Sequence, residues 1–411
     1  MELKTNYQYT YFIYPFVVKQ SKYKRYLQKL IRDKNCNLKT FEMEKDIRLY
    51  KYFSPKIREF MFSSFSLSKE KIKKLKDLPE ETQAGIISEF PCSIFNYDFD
   101  KDIQGKSQDE NSIFFNIQKI EIICFNTGIC FLAIKTNIED LNNFSEILNF
   151  NYKFRDINQD GNKLNAYENI KIQMSNFSSI EKFTDFIKNI TGSSIEAIKL
   201  NIDTERFLTY SYVCIDGMYW NQARGFEDLQ SSYIKYINVL SADDNHNLNK
   251  GDSTSISKWK YTRLGISKTA TMLFASSIEM NNYTILPDEY ENQYFYTYII
   301  SLYKSIYLKK LNKEFETTSN VKRTRRKFIY FTKRLWIQDI TEDEIGNSLV
   351  QKFNEAFELE EIYKKTKKKY EVIYKELNIE KNARATRIIT ITLIISLGLN
   401  ILNFILLMGR K

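Results

Sequence analysis

One uninterrupted apolar segment constrains this chain more than any other feature. Residues 388–408, IITITLIISLGLNILNFILLM, carry no charged side chain. At a rise of about 1.5 Å per residue they form a helix of roughly 31 Å, which matches the hydrocarbon core of a bilayer. We therefore predict one transmembrane helix, the apolar span, which ties the preceding residues to a membrane.

The charges beside the apolar span predict its orientation. Lysines crowd its N-terminal side, and Arg384 and Arg387 stand at the expected membrane interface. Basic residues are retained on the cytoplasmic side, so we predict a single-pass protein of the cell (inner) membrane with its N-terminal body in the cytoplasm. The first residues lack the basic and apolar regions of a signal peptide. The net charge of +10 fits attraction to anionic lipid or to a nucleotide, or a composition biased toward lysine.

Residues that could carry catalysis or bind a metal are few. The chain has one histidine, His246, and no Walker loop, GxGxxG or HExxH motif. A Ser-His or Cys-His nucleophile and a metal site built on several histidines are therefore not expected. The five cysteines form no CxxC pair and are predicted to be buried free thiols in a reducing cytosol. We expect a protein that is not an enzyme and that needs no metal or cofactor.

The apolar pattern predicts an α+β fold: a mixed, largely antiparallel cytosolic sheet with covering helices, then a long stalk helix running into one transmembrane helix. We assign residues 1–316 to a cytosolic sensor domain and 317–340 to a basic connecting helix. Residues 341–387 form the stalk helix and 388–408 the transmembrane helix.

Several elements of the sensor domain are predicted individually. Residues 120–134 read as a hairpin that turns at Asn126-Thr127-Gly128. Strands are predicted at 10–18, at 206–215 and, as two strands turned near Gly265, at 258–276; helices are predicted at 22–31, 138–148, 289–316 and 321–338. The polar stretches 66–85 and 98–110 are predicted to be surface excursions.

The stalk is predicted to be one long helix. Residues 341–408 contain no proline, and Thr341 is a suitable N-cap, so the helix would be roughly 100 Å long. Its apolar residues recur at steps of three or four residues or at the sum of the two: Leu349, Ala356, Leu359, Tyr363, Tyr370, Ile373 and Leu377. This seam fits packing on the chain's own domain and on sister stalks, or an imperfect coiled coil.

The apolar span carries a polar stripe, defined as Thr392, Ser396, Asn400 and Asn403. At about 100° per residue these four fall within a sector of about 80°. Amides exposed to lipid lack partners, so the stripe predicts a homo-oligomer. Hydrogen bonds between helices or a water-filled pore would both satisfy it. The stripe lies about a quarter turn from the stalk seam in a straight helix.

Two stretches mix aromatic rings with cations and are candidate ligand surfaces. In KWKYTR, a strand would place Trp259, Tyr261 and Arg263 on one face, where a base could stack and a phosphate could pair. The alternative is a half-buried strand whose rings lie in the core. Arg323 and Arg326 belong to a basic run that binds anionic lipid or a nucleotide, or is simply a solvated helix face.

Arg58 and Arg206 are weaker ligand candidates. Each is a single arginine beside aromatic residues, a setting in which an ordinary salt bridge is the alternative. No nucleic-acid polymer is expected as a partner.

Several segments together resemble a divergent CorA-like membrane protein family of Firmicutes. They include YTYFIYPFVV near the start, FEMEKDIRLYKYFSPKIREFMF, the FNTGICFL hairpin and the stalk segment that begins ITEDEIGNSLV. KWKYTRLGIS is similar to the family's W-x-x-x-R-x-G strand through Trp259, Arg263 and Gly265. The resemblance touches both ends and the middle of the chain.

The resemblance implies a homo-oligomeric membrane protein. CorA proteins are cation channels with a cytosolic α/β domain, a stalk helix and two membrane helices joined by a Gly-Met-Asn loop, but this chain has neither that loop nor a second span. Divergent members are membrane effectors of type III CRISPR antiviral defence. There a nucleotide second messenger, an S-adenosylmethionine–AMP conjugate, acts on the cytosolic domain.

Three functions follow from these observations as hypotheses. The leading one is an effector or channel that senses a small nucleotide ligand and alters membrane permeability. The first rival is a CorA-type transporter of Mg²⁺, against which the basic residues Arg384 and Arg387 at the membrane entrance argue. The second rival is a scaffold or enzyme for which the span is only a tether.

Overall fold

The computed structural model describes residues 3–98, 103–107, 113–138, 143–159, 170–173, 181–182, 187–188, 190–192, 195–197, 204–244, 254–256, 259–317 and 321–408. Two compact units are present. The first comprises Met1–Tyr303 with Ile337–Glu358, and the second comprises Lys304–Trp336 with Leu359–Lys411. The first unit is built on a β-sheet and the second is helical.

The described strands of the first unit form one mixed sheet and a separate pair. Their bounds are β1 Thr5–Val17, β2 Cys36–Leu38, β3 Cys92–Tyr97, β4 Ile103–Ser107, β5 Phe114–Phe125, β6 Ile129–Ile138, β7 Asp156–Gln159, β8 Ile170–Gln173, β9 Glu181–Lys182, β10 Glu196–Ala197, β11 Thr204–Arg206, β12 Leu208–Ile215, β13 Thr254–Ile256, β14 Thr262–Ile266 and β15 Ala270–Ser276. The main order is β13-β14-β15-β12-β1-β6-β5-β4-β8-β9, with β2–β3 on β5, β10 on β1, and β7 paired with β11. Among the described pairs only β12–β15 is parallel, so the predicted α+β class with a largely antiparallel sheet is confirmed.

The described helices are interleaved with the strands along the chain. Their bounds are α1 Tyr23–Arg32, α2 Ile47–Tyr52, α3 Pro55–Met61, α4 Lys69–Lys76, α5 Glu80–Ile87, α6 Phe144–Phe154, α7 Gln230–Ile237, α8 Asn281–Thr284, α9 Leu286–Glu289, α10 Phe295–Thr317, α11 Val321–Phe331, α12 Glu344–Ala356 and α13 Leu359–Met408. Single π-helical turns, Tyr290–Tyr294 and Thr332–Trp336, precede α10 and follow α11. Short 3₁₀ turns lie at Gln20–Lys22, Ser63–Ser66 and Glu227–Leu229.

Strand β1 lies inside the sheet between β6 and β12, and both of its faces are covered. Successive side chains of a strand point to opposite faces. Phe12 contacts Phe150 and Phe154 of α6 on one side, whereas Tyr11 contacts Phe295 of α10 on the other. The predicted strand at 10–18 is therefore confirmed, and it begins five residues earlier, at Thr5.

The predicted hairpin and first helix are also confirmed. Strands β5 and β6 pair from Phe115–Ile138 to Cys124–Cys130 and turn at Asn126-Thr127-Gly128. Gly128 has φ of 82°, and a Cβ there would lie 2.2 Å from the Val18 carbonyl oxygen, so the turn requires glycine. Helix α1 buries Tyr23, Tyr26, Leu27 and Leu30, the face that its spacing predicts.

Three segments of the sensor domain differ in detail from their predictions. Residues 66–85 are mostly exposed, as expected of a surface excursion, but they form α4 and most of α5, and Leu75 and Ala84 are buried. Residues 98–110 contain strand β4 within the part of the chain that is described. The predicted alternating strand at 206–215 is two elements, β11 and β12, and every side chain of β12 is buried because the strand lies between β1 and β15.

Gly265 does not form the predicted turn. It lies inside β14 opposite Met272 of β15, and residues 267–269 make the connection. A Cβ at Gly265 would lie 2.4 Å from Cγ2 of Ile237, at the end of α7. The glycine therefore permits close packing of a helix on the strand.

The stalk is not one helix from residue 341 to 408. Asp343 is the N-cap of α12 and accepts a hydrogen bond from the Gly346 amide at 2.7 Å, while the buried Thr341 hydroxyl donates to the Tyr52 carbonyl. The helix breaks at Glu358, which has φ of 53°. Phe353 and Phe357 pack on Tyr298 of the same unit. The helix therefore ends at a position that packs on the core, although the sequence has no glycine or proline there.

The second unit contains the predicted basic helix, as α11 with its π-helical turn, and the 50-residue helix α13. Trp336 stacks on Tyr363 with ring centroids 4.0 Å apart, and Phe328 contacts Tyr363 and Tyr370. Thr366, between these rings on the seam, is fully buried. This part of the stalk seam therefore packs on the chain's own helices. Among the described residues, one helix, α13, is long and apolar enough to cross a membrane.

Candidate functional site

The apolar span is exposed along its whole described length. From Ile388 to Leu402 the isoleucine and leucine side chains are 51% to 65% exposed. An apolar surface of this size is not stable in water, because every exposed methylene loses the free energy that burial would provide. The helix therefore requires a covering medium or partner on all sides.

The polar stripe has two kinds of member. The Thr392 hydroxyl donates to the Ile388 carbonyl at 2.9 Å, one turn back along the same helix, so it is satisfied within the chain. Ser396 and Asn400 are exposed, and among the described residues the structure gives their side chains no hydrogen bond. The side chain of Asn403 lies outside the described part. Among the described side chains of the stripe, the requirement for an external partner thus falls on Ser396 and Asn400.

The basic residues predicted at the membrane interface occupy the last turns of α13 before the apolar span. Arg384 and Arg387 are both exposed. They are three residues apart, which places them about 60° apart around the helix, so they lie on the same face of it.

The structure separates the residues of KWKYTR instead of placing them on one strand face. Trp259 and Tyr261 precede β14, and Tyr261 has φ of 53°, so only Arg263 lies in the strand. Trp259 contacts Tyr294, with ring centroids 5.9 Å apart. The predicted shared face is therefore wrong.

The other two side chains pack together with a cluster on the sheet. Tyr261 contacts Trp220 edge to face, and the Arg263 guanidinium lies 4.2 Å from the centre of the Phe226 ring. Trp220 and Phe226 are themselves in contact. These contacts correspond to the alternative interpretation, in which the aromatic residues belong to the core.

Arg58 is held by its own helix region. Its Nη1 donates to the carbonyl oxygens of Tyr50 and Phe53, and the guanidinium stacks 3.9 Å from the Tyr50 ring centre. These contacts use the cation to cap the end of α2, so Arg58 has a structural role. Arg206 lies in β11 opposite Asp156, and its side chain is outside the described part.

The basic run of α11 divides between packing and solvent. Lys327 donates to Glu314 at 2.7 Å, and the Arg325 guanidinium lies 5.1 Å from the Tyr374 ring centre. Arg323 and Arg326 are exposed. The two predicted ligand candidates are thus exposed, as is Lys322 of the same run.

An open groove runs beside the stalk in the second unit. It encloses about 390 Å³ and is lined by Phe315, Glu316, Lys365, Lys368, Lys369, Val372 and Ile373. Glu316 pairs with Lys369 across it. Its lining combines three apolar side chains with three lysines and one glutamate.

Sequence reasoning missed a buried ionic network in the first unit, defined as Lys39, Lys119, Glu121, Lys135 and Glu291. Lys39 Nζ lies 2.7 Å from Glu121 Oε1, and Lys135 Nζ lies 2.6 Å from Glu291 Oε2. Lys119 Nζ joins the two pairs, 3.3 Å from Glu121 and 3.5 Å from Glu291. The network connects β5 and β6 to the π-helical turn before α10.

Two tyrosines complete the network. The Tyr11 hydroxyl donates to Glu291 at 2.9 Å, and the Tyr296 hydroxyl accepts from Lys39 at 2.8 Å. Burial raises the pKa of both tyrosines well above the ordinary value, and the neighbouring carboxylates raise it further. Both hydroxyls therefore stay protonated and act only in hydrogen bonds.

The network holds its carboxylates ionised. Burial alone would raise the pKa of Glu121, which is 1% exposed, but Lys119 and Lys39 lower it to about 2. Burial likewise opposes ionisation of Glu291, and Lys135 and Lys119 lower its pKa. Charged groups that leave water this completely are stable only when each is paired.

Only a short sequence pattern could have indicated the network. Lys119 and Glu121 are two residues apart in a mostly apolar strand, so they share one face. The hairpin register places Lys135 opposite Lys119, and Tyr11 opposite Lys135. Glu291 and Lys39 come from distant parts of the chain, and no local pattern identifies them.

The described residues contain no group of three or more His, Cys, Asp or Glu side chains that could hold a metal ion. His246 lies outside the described part. The five cysteines are free and buried, and burial raises the pKa of Cys214 to about 12. Comparison of the chain with protein-family models, with curated proteins and with solved structures finds no match.

Proposed function

We propose that the chain is a homo-oligomeric, CorA-like membrane effector or channel. Its N-terminal body lies in the cytoplasm and senses a small nucleotide-type ligand, with an S-adenosylmethionine–AMP conjugate as the candidate. Binding alters the permeability of the cell membrane, in antiviral defence linked to CRISPR. The protein performs no catalytic step in this proposal.

The exposed apolar span is the observation that carries the proposal. In the described part its side chains are exposed on every side of the helix. An apolar helix of about 31 Å matches the hydrocarbon core of a bilayer, so lipid is the medium that would cover it. In lipid, Asn400 and Asn403 require hydrogen-bond partners. Sister copies of the same helix supply them, because the stripes of several copies can meet at one axis.

Ligand coupling is supported by the continuity of α13. The stalk and the apolar span form one helix from Leu359 to Met408, so a tilt or rotation of the stalk moves the span. A ligand shifts a closed–open equilibrium only through its differential affinity for the two states. Arg323 and Arg326, exposed on α11 of the same unit, are the residues that we assign to attraction of an anionic ligand.

Liposome leakage tests the proposal. Full-length protein is reconstituted in vesicles loaded with a self-quenched dye, and release is followed with and without the S-adenosylmethionine–AMP conjugate. We expect release by the wild type on ligand addition, and at least about tenfold slower release by Asn400→Leu/Asn403→Leu, since each lost polar contact removes about 1 kcal/mol or more. Ile394→Leu/Ile401→Leu is the matched control away from the stripe. Equal release by all three proteins would contradict the lining assignment.

A second experiment separates the channel from a tethered scaffold or enzyme. Residues 388–408 are replaced by polyleucine of equal length, which preserves a membrane helix and removes the polar stripe. A tether tolerates this change, whereas a channel loses ligand-dependent leakage. Uptake of Mg²⁺ by vesicles of the wild type would favour the transporter alternative.

A further inference from the structure

The groove beside the stalk in the second unit brings lysines and apolar side chains together. From this combination we infer that the groove binds a nucleotide-type ligand, with the phosphate group on the lysines and the ring system on the apolar side chains. The inference rests on the proposed function, because it places the ligand that the N-terminal body would sense at one site, the junction of α10 and α13.

Two helices form the groove. Phe315 and Glu316 belong to the last turn of α10, and the other lining residues belong to α13: Lys365, Lys368, Lys369, Val372 and Ile373. The volume of about 390 Å³ lies within the range of small-molecule sites, roughly 300 to 1,000 Å³. A ligand in the groove therefore contacts both helices at once.

The lining of the groove is positively charged. Its three lysines and one glutamate give a net charge of +2. Glu316 is paired with Lys369, whereas Lys365 and Lys368 form no ion pair with any residue in the described part of the chain. The pKa of Glu316 is lowered by its hydrogen bond with Lys369 and then by the charges of Lys369 and Lys365. Lysine is a common ligand of phosphate, which carries about one to two negative charges at pH 7. The two unpaired lysines can therefore hold one phosphate group.

Neighbouring charges do not cancel this net charge. The four charged residues that flank the groove along the same side of α13 sum to zero: Glu361, Lys364, Lys375 and Glu376. Glu371, on an adjacent side, is 3.9 Å from Lys367, and Glu314 of α10 is 2.7 Å from Lys327. The nearby carboxylates are therefore matched by lysines outside the groove.

The groove lies on a side of α13 that other contacts do not use. The tyrosines that pack on α11 and its π-helical turn lie about 160° to 180° from Val372 around the helix: Tyr363, Tyr370 and Tyr374. The centre of the polar stripe lies about 120° from Val372. Copies whose stripes meet at one axis therefore leave the groove on the outside of the bundle, where a ligand from the cytoplasm can enter.

The height of the groove favours a soluble ligand over a lipid headgroup as the source of the phosphate. Val372 precedes Ile388, the first residue of the apolar span, by 16 residues, or about 24 Å of helix. The headgroup layer on each side of a bilayer is only about 5 to 8 Å thick. The lysines of the groove therefore lie beyond the lipid phosphates.

Binding at this site would act directly on the apolar span. Helix α13 continues without a break from the groove to Met408. A ligand that holds α13 against the end of α10 favours the arrangement of the two helices that binds it more tightly. The span moves with that arrangement because it belongs to the same helix.

Equilibrium dialysis measures binding at the groove. The full-length protein in detergent is dialysed against the radiolabelled S-adenosylmethionine–AMP conjugate. Lys365→Gln/Lys368→Gln removes the two unpaired cations, and we expect at least about tenfold weaker binding, since each charged contact to a phosphate contributes that much. Lys367→Gln/Lys381→Gln removes the same charge about 140° to 180° from Val372 around α13, and should change the Kd no more than about threefold. Equal weakening in both variants would show that overall stalk charge attracts the ligand, which overturns the inference.

A second pair of variants tests the apolar part of the site. Val372→Glu replaces an apolar contact by a carboxylate that repels phosphate, and is expected to weaken binding at least about tenfold. Ile379→Glu makes the same change at an exposed apolar residue of the same side, about 10 Å farther along the helix. This control should bind as the wild type does. Equal binding by the two variants would contradict contact with Val372.

Two further results would overturn the inference and leave the proposed function standing. Loss of binding in Arg323→Gln/Arg326→Gln, with no loss in Lys365→Gln/Lys368→Gln, would place the ligand on α11. Displacement of the conjugate by phosphatidylglycerol in mixed micelles would assign the groove to a lipid headgroup. Absence of both binding and ligand-dependent dye release in the wild type would overturn the inference and the proposed function together.

Discussion

The sheet of the first unit and the last third of α13 differ in which kinds of side chain are buried and which are exposed. In the sheet, Glu121 is 1% exposed and its charge is paired with Lys39 and Lys119. In α13, uncharged residues such as Ile394 and Leu397 are 64% and 63% exposed. Charge is buried in one region and apolar surface is exposed in the other.

This difference teaches that the two regions are stable for different reasons. The sheet is stabilised by contacts within the chain, because both of its faces are covered and its ions are paired. The end of α13 is not stabilised in this way, because no described part of the chain covers it, so its stability depends on what surrounds it. Changes of charge should therefore have opposite effects in the two regions: removing a charge harms the sheet, and adding a charge harms the span.

The largest expected effect comes from adding charge to the span. Ile394→Lys/Leu397→Lys places two charges near the bilayer centre, at about 3 kcal/mol each by insertion scales, or about 6 kcal/mol together. We expect most of the protein to be released from membranes by alkaline carbonate, where the wild type is retained.

The control for this change makes the same substitutions in the stalk. Val372 and Ile379 are also exposed apolar residues of α13, 49% and 68% exposed, but they precede the span. Val372→Lys/Ile379→Lys should remain in the membrane fraction. Release of the control, or retention of the span variant, would contradict the contrast between the two regions.

Removing a charge from the sheet is expected to have the next largest effect, a loss of unfolding free energy. Glu121→Gln leaves Lys39 and Lys119 without their buried partner, which costs about 3 to 5 kcal/mol of unfolding free energy. Urea unfolding of the full-length protein in detergent, followed by tryptophan fluorescence, measures the loss. Glu81→Gln, at an exposed position, should change it by less than about 0.5 kcal/mol. Equal midpoints for the two variants would mean that the ionic network does not stabilise the fold.

Acid should weaken the same network without mutation. Because the folded pKa of Glu121 is lowered to about 2, its contribution is complete above the ordinary carboxyl pKa and is lost as pH falls from about 4.5 toward about 2. The lowered pKa of Glu291 acts in the same direction. Glu121 alone accounts for about 3 kcal/mol over this range. Unfolding in urea at pH 6, 4 and 3 should show a smaller loss in Glu121→Gln than in the wild type.

Local patterns in the sequence predicted the elements whose causes are local. The face of α1 at Tyr23, Tyr26, Leu27 and Leu30 follows from helical spacing, and the β5–β6 hairpin follows from Asn126-Thr127-Gly128 between two apolar runs. The apolar span was predicted from its length and composition alone. Each of these features is determined by neighbours within a few turns or residues.

Features with distant causes were not predictable in this way. Glycine is common in turns, but the role of Gly265 depends on Ile237, which lies on a helix that packs on the strand. The break at Glu358 follows from the packing of Phe353 and Phe357 on Tyr298. The ligand candidates around Trp259 were expected on one strand because the start of β14 could not be located from periodicity alone.

The smallest expected effect distinguishes the members of the polar stripe. The Thr392 hydroxyl is already bonded to the Ile388 carbonyl, so Thr392→Val removes no contact that a sister helix must replace, and the change in helix stability is a few tenths of a kcal/mol. We expect ligand-dependent dye release within about twofold of the wild type, whereas Asn400→Leu alone slows release several-fold. The two substitutions are matched, since each replaces a polar side chain of the stripe by an apolar one of similar size. If Thr392→Val slowed release as much as Asn400→Leu, the hydroxyl would have to face the axis when the pore is open, and the intrahelical bond would have to break on opening.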